Sequence, residues 1–148
     1  MEDVEYVRVR AREIQARVVA SRAARFENQR RMELSDFSFE QFEGGRVSAF
    51  GAAGAATVEL DTMNVVMAGG VRLEVVEEEI AIETSALRWR DEQRMLSGEP
   101  QEEVRIFGES GTDIVGVGFS ADARRREWEF QGAVAGSYAE NEDEGGEE

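Results

Sequence analysis

Four segments of this chain recur at an almost constant interval. Ala24-Arg25-Phe26, Ala56-Thr57-Val58, Leu87-Arg88-Trp89 and Phe119-Ser120-Ala121 place their third residues 32, 31 and 32 positions apart. A short polar turn follows each one. Then comes a second apolar pair at alternate positions: Met32/Leu34, Met63/Val65, Met95 with Ser97, and Trp128/Phe130. A period of this size marks stacked supersecondary units, each burying its apolar face on the next. Here each unit reads as strand, tight turn, strand. Stacked long hairpins make an elongated twisted sheet, which suits a groove better than a catalytic cleft.

The alternation extends beyond the anchors. Val7, Val9 and Ala11 alternate with Arg8, Arg10 and Arg12, which predicts a strand beginning near Tyr6. Residues 13–26 fit two periods. Ile14 and Val18 match a helix face, but Ile14, Ala16, Val18, Ala20, Ala24 and Phe26 also fit a period of two. The equivalent segments around Val58, Trp89 and Ala121 make poor helices, so the repeat selects the strand. Turn-forming clusters at 27–31, 43–46, 61–62, 77–79, 91–94, 108–112 and 122–126 then divide the chain into about nine arms of about 12 to 17 residues.

Such arms exceed the mean strand of ~5–6 residues, and most carry a breaker near their centre. These are Ser35-Asp36, Gly51 and Gly54, Gly69-Gly70, Thr84-Ser85, Gly98-Glu99-Pro100, Gly116 with Gly118, and Gly132. At Ser35-Asp36 the alternation slips by one, from Met32/Leu34 to Phe37/Phe39; a slip exchanges the two faces unless a bulge absorbs it. Breakers aligned across successive arms fold the sheet along one crease. The predicted fold is therefore all-β, a bent antiparallel sheet closed on itself. Its expected interior comprises Phe37, Phe39, Phe50, Val58, Val65, Met67, Val71, Leu73, Ile80, Ile82, Leu87, Trp89, Ile106, Val117, Phe119, Trp128, Phe130 and Val134.

Composition narrows the chemistry. There is no Cys and no His, and all 17 basic residues are Arg, so thiolate, imidazole and Schiff-base chemistry have no carrier. Net charge is −15, which argues against nucleic acid as a partner. Six acids lie in the last ten residues; without them the charge is −9. Residues 139–148 are expected to be a disordered acidic tail after one folded domain at 1–138. No apolar run reaches the ~20 residues of a membrane helix, and no signal-peptide apolar region is evident. Gly116-Val117-Gly118 lacks the third glycine of a dinucleotide loop. The acidic run 77–79 and Arg124-Arg125-Arg126 read as solvated turns. No catalytic residue, metal site or cofactor is expected, and the chain is not expected to be an enzyme. A carbohydrate-active enzyme would need two carboxylates ~5–10 Å apart on one concave face, whereas the expected interior is apolar.

Three stretches resemble a known family. Glu33-Leu34-Ser35-Asp36-Phe37-Ser38-Phe39-Glu40-Gln41-Phe42 with Gly45-Arg46 is similar to the opening of LptC. Glu83-Thr84-Ser85-Ala86-Leu87-Arg88-Trp89-Arg90-Asp91 with Met95-Leu96-Ser97-Gly98, and Gly118-Phe119-Ser120-Ala121-Asp122 with Trp128-Glu129-Phe130-Gln131-Gly132, resemble later repeats. The resemblance extends over roughly residues 10–138 and is to the LptC/LptA lipopolysaccharide-transport family of OstA-like β-jellyroll folds, nearer LptC.

The resemblance implies a periplasmic, inner-membrane-associated segment of a lipid bridge, anchored through a segment not present in this chain. Its partners would be lipopolysaccharide or another lipid, an LptF/LptG-type ABC transporter with its LptB ATPase, and an LptA-like bridge protein. Lipid would lie on Phe37, Phe39, Phe50, Val65, Met67, Leu73, Ile82, Leu87, Trp89, Ile106, Val117, Phe119, Trp128 and Phe130. Docking would use the first and last arms, at Tyr6, Val7, Val9, Gly132, Val134 and Gly136. A self-assembling β-scaffold explains the repeat equally well.

Overall fold

A computed structural model describes residues 2–137. Tyr138 and the acidic stretch 139–148 lie outside the described residues. The described chain is a single antiparallel sheet of thirteen strands. These are β1 (Glu2–Arg10), β2 (Glu13–Phe26), β3 (Arg31–Glu43), β4 (Arg46–Glu59), β5 (Val65–Val75), β6 (Ile80–Thr84), β7 (Leu87–Arg90), β8 (Met95–Gly98), β9 (Val104–Gly108), β10 (Asp113–Gly116), β11 (Phe119–Asp122), β12 (Glu127–Phe130) and β13 (Val134–Ser137). Residues 13–26 form a strand, and the only helical turn among the described residues is the 3₁₀ segment Glu27–Gln29.

The thirteen strands make nine arms. β1 to β5 are one arm each. The other four arms are broken in two: β6/β7, β8/β9, β10/β11 and β12/β13. β5 spans the break. Its C-terminal half pairs with β6 through Leu73↔Ile82, and its N-terminal half pairs with β7 through Met67↔Leu87. The order β1-β2-β3-β4-β5-β6-β9-β10-β13 therefore forms one limb. The far halves of β2 to β5 continue through β7, β8, β11 and β12 into the other. A crease divides the limbs.

What makes the crease is an interruption of the inward alternation along the arms from β2 onward. Buried residues are spaced by three rather than two in β2 (Ala20, Ala23), β3 (Leu34, Phe37) and β4 (Ala53, Ala56). In β3 the switch sits at Asp36, whose φ of 48° is left-handed, and Ser21 Oγ donates to its carboxylate at 3.0 Å across the strand pair. In β4 and β5 the switch is a register shift at Gly54, opposite Gly69 and Gly70, both with positive φ. A Cβ built on Gly54 would lie 2.9 Å from the Gly69 carbonyl, so only glycine lets the two backbones approach this closely. Both limbs thus turn their apolar faces to the same interior.

Four face assignments differ from the sequence expectation. Phe50 points outward, 39% exposed, between Glu40 and Glu74 in register; its neighbours Ala49 and Gly51 face in, where Gly51 stands opposite the Phe39 ring. β1 starts at Glu2 rather than near Tyr6 and turns in Val4 and Tyr6, not Val7; a bulge at Arg8/Val9 then brings Val9 to the inner face. Phe26 lies on the outer face, covered by the Arg31 guanidinium at 4.7 Å. In β8 the inward residue is Leu96, opposite Trp89, so Met95 and Ser97 face out.

The outer face is stitched by charge. Arg72 pairs with Glu74 at 3.2 Å and with Glu83, and Arg105 pairs with Asp113 at 3.0 Å. The guanidiniums of Arg72 and Arg105 lie over the Phe107 ring at 5.2 and 4.3 Å. Exposed pairs of this kind add little stability but penalise other registers. The hydrogen bond from Arg105 holds the Asp113 carboxyl below the ordinary carboxylate range. Its contribution is thus present above the ordinary carboxylate pKa and is lost as pH falls through the lowered one. A carboxyl NMR titration should place the Asp113 midpoint below those of unpaired surface aspartates, and Arg105→Gln should return it to their range.

The crease makes a sharper demand. Gly54→Val puts a branched side chain against the Gly69 backbone. It should lower unfolding free energy by about 1–3 kcal/mol, read by chemical denaturation. Ser120→Val, on the outer face of β11, should change it by less than about 0.5 kcal/mol.

Candidate functional site: an apolar groove between the limbs

The interior is a strip of alternate side chains running across all nine arms. On the first limb, Ala20, Phe37, Ala53, Val71, Ile82, Ile106 and Ile114 come into line through consecutive pairings. Large residues meet small ones: Phe37 lies between Ala20 and Ala53, and Phe39 lies between Val18 and Gly51. Phe37 and Phe39 stack with centroids 5.6 Å apart. On the second limb the line is Leu34, Ala56, Met67, Leu87, Phe119 and Phe130, with Met32, Val58, Val65, Trp89, Leu96, Ala121 and Trp128 behind it.

The strip is packed tightly in its C-terminal half and loosely in its N-terminal half. Leu87, Val104 and Ile106 are fully buried and Phe119 nearly so. Phe119 and Phe130 stand 5.6 Å apart, and Trp128 meets Phe130 edge-on at 5.9 Å. Phe130 reaches across the crease onto the inward side of Gly116, where a Cβ would lie 2.7 Å from its ring. At the other end the inner face is open. Tyr6, Val9 and Ile14 all face in, yet they are 51%, 58% and 49% exposed.

Most expected lipid-contact residues therefore share one face. Phe37, Met67, Leu73, Ile82, Leu87, Ile106 and Phe119 are buried, and Phe39, Val65, Trp89, Trp128 and Phe130 are half-buried against them; Val117 is half-buried but is not packed on this cluster. Phe50 does not join them. Val134 pairs with inward Gly116 but is 53% exposed on the last arm. Sequence reasoning missed Val104, Leu96 and Ile114. Val104 and Ile114 each sit one alternate position from a residue of the strip, a signal that the short broken strands obscured.

Both lateral margins are open edges among the described residues. β1 pairs only with β2, and β13 pairs only with β10, while β12 pairs only with β11. Tyr6, Val7 and Val9 lie on the first of these edges and Val134 and Gly136 on the last; Gly132 lies in the link between β12 and β13. The mouth opposite the crease is bridged by ion pairs. Arg126, in the β11–β12 turn of the second limb, contacts Glu43 at 3.6 Å and Glu77 at the turns of the first. Arg8 reaches Asp91 in the β7–β8 turn at 3.9 Å.

One concavity, of about 640 Å³, is elsewhere. It lies on the outer side of the crease, among Asp36, Gly54, Gly70 and the outward Ser38, Ala52, Arg72 and Glu83. The described residues offer no cluster of metal-ligating groups. No described helix is long and apolar enough to cross a membrane. What this arrangement can do is shield apolar matter from water along a strip that leads from one open edge to the other.

The chain matches the family described as "Lipopolysaccharide-assembly, LptC-related" over residues 1–139. It belongs to this LptC-related family. A solved structure with the same fold is LptH of Pseudomonas aeruginosa, described as the LptA-homologous periplasmic component of a lipopolysaccharide transport device. The TM-score is 0.62 at 17% identity, covering 80% of this chain and 82% of LptH. A protein from Treponema pallidum (strain Nichols), described as uncharacterised, is 28% identical over 100 residues. That match covers 67% of this chain, which spans half the length of that relative.

Burial separates the two kinds of phenylalanine in this LptC-related chain. Phe119→Ala should cost about 3–5 kcal/mol, whereas Phe50→Ala should cost less than about 1 kcal/mol. Urea denaturation of the two variants measures the difference.

Proposed function

We propose that this chain is a non-enzymatic lipid carrier. It takes lipopolysaccharide or a related lipid from an inner-membrane ABC transporter and passes it along the inter-limb strip to an LptA-like partner. The working compartment is the periplasm. Association with the inner membrane would run through a segment outside this sequence. The transporter would be of the LptF/LptG type, driven by an LptB ATPase, a reading supported by the LptC-related family. The observation that carries the reading is the continuous apolar strip, loosely packed at its first hairpin and ending at an open sheet edge at each margin.

The mechanism is physical. Each buried methylene contributes about 0.8 kcal/mol, so an acyl chain partitions into the strip and leaves it only when displaced from behind. The strip accepts chains by parting the two limbs at the mouth. It does so most readily at the first hairpin, where Tyr6, Val9 and Ile14 already stand exposed. The unpaired margins suit partner docking, because a free strand edge templates another chain's strand. The same open margins favour a second reading, end-to-end addition of identical chains. Concentration-dependent sedimentation of the chain alone would reveal it.

Photo-crosslinking amino acids at Phe39 and Phe130 should capture lipid in a membrane-extraction assay, and those at Phe50, Arg88 and Glu129 should not. Equal capture at both sets would remove the strip as the lipid path. For the docking edge, proline at 133 or 134, whichever N–H points outward, deletes one ladder donor. That variant should lose an LptA-like partner while keeping its thermal midpoint within a few degrees.

A further inference from the structure

We propose that Phe130 is the gate at the exit end of the strip: its ring rests on Gly116 and closes the interior, and cargo reaches the last arm only when the ring swings off that glycine. The proposal rests on the lipid-carrier reading and adds to it the residue that controls passage. The two ends of the interior are built differently. At the first hairpin the inner face lies open, with Tyr6, Val9 and Ile14 exposed. At the other end the packed interior stops one arm short of the sheet margin. Val134 lies on the inner face of the last arm, opposite Gly116, and is 53% exposed. Phe130 stands where the two regions meet. It packs on the buried Phe119 at 5.6 Å and on Gly116, the strand partner of Val134.

The ring is what requires glycine at 116. The backbone there has no left-handed φ, so its conformation suits any residue. A Cβ, however, would lie 2.7 Å from the Phe130 ring. The seat is bare backbone, and the ring leaves it without unpacking a side chain on β10. The strand that carries the ring is held on one side only. β12 pairs with β11 alone among the described residues, and beyond it Gln131 and Gly132 each donate one backbone hydrogen bond, to Gly118 and Val117. Phe119 is different. It sits on β11, between β8 and β12, and is 2% exposed, a core position rather than a boundary one.

A hydrocarbon tail moving along the strip meets this ring before it meets the margin. With the ring seated, the inner face of β13 stays in water. With the ring turned aside, the path runs over Gly116 and Gly136, two inner-face positions without side chains, to Val134 and the open edge. An aromatic ring suits the role. It excludes water while seated, and a tail that displaces it exchanges one apolar contact for another.

The test uses purified lipopolysaccharide as the probe and a photo-crosslinking residue at one of two positions. Position 39 reports lipid before the ring, and position 134 reports lipid beyond it. In the parent chain, capture at 39 should exceed capture at 134 by roughly fivefold or more. Phe130→Ala removes the ring, and Gly116→Ala keeps it but fills its seat; each should bring the two sites within about twofold. Leu96→Ala truncates a buried side chain on β8, away from the seat, and should lower the thermal midpoint without moving the ratio. Equal capture at both positions in the parent, a ratio that the folded Phe130 and Gly116 variants leave unchanged, or a ratio that Leu96→Ala moves as far, overturns the gate and leaves the carrier reading in place. No capture at either position in any chain overturns the carrier reading and the gate with it.

Discussion

A strictly alternating strand has one apolar face, and a sheet of such strands can cover a core but cannot enclose one by itself. This chain encloses one because every arm from β2 onward is interrupted once, at the same level. Three devices make the interruption. They are a left-handed aspartate in β3, a glycine-lined register shift between β4 and β5, and outright breaks in the four later arms. The devices differ, but their alignment is what matters: a switch misplaced by one residue would put that arm's far half apolar side out. Packing, mouth and margins all follow from that shared line.

The interior also explains why the molecule has two characters along its length. Where the arms are broken, the strands are short and their side chains large, and Phe130, packed against Phe119 and Trp128, crosses the crease to fill the space. Where the arms run unbroken, the inner face carries Ala16, Ala20, Ala49, Gly51 and Ala53. Only Phe37 and Phe39 are large enough to fill across them. Small residues opposite a small number of rings leave the first hairpins loosely covered. Tight packing and an open inner face are therefore placed at opposite ends of one sheet.

Much of this was legible in the sequence, and the exceptions share a cause. The nine arms, their turns and the crease were visible because glycine, proline and charge punctuate strands for local reasons. Inward faces were visible wherever the inward residues were the larger ones. Phe50 was misplaced because its inward neighbours are Ala49 and Gly51. Apolar pattern assigns the ring to the core, but the space it would fill is already taken by Phe39 from the adjacent strand. The first arm was misplaced because a bulge at Arg8/Val9 decides its parity, and a bulge is a property of the pair of strands rather than of either one. The arginine partners across the mouth were not legible either. They join residues 49 and 83 positions apart, at turns whose meeting depends on how the two limbs cross.

Those crossings bear on how such a groove can stay closed without being permanently shut. Arg126 meets Glu43 and Glu77 at side chains that remain largely in water, and Arg8 meets a more sheltered Asp91. Ion pairs of that kind are individually worth little, so they cannot hold the limbs against a lipid that gains most of a kilocalorie per buried methylene. They can set the resting alignment of the rims, since opposite charges favour one register of turn against turn. Closure strength then rests on the apolar contacts beneath, which an acyl chain entering as proposed would replace with contacts of the same kind. A mouth built this way resists water and yields to hydrocarbon.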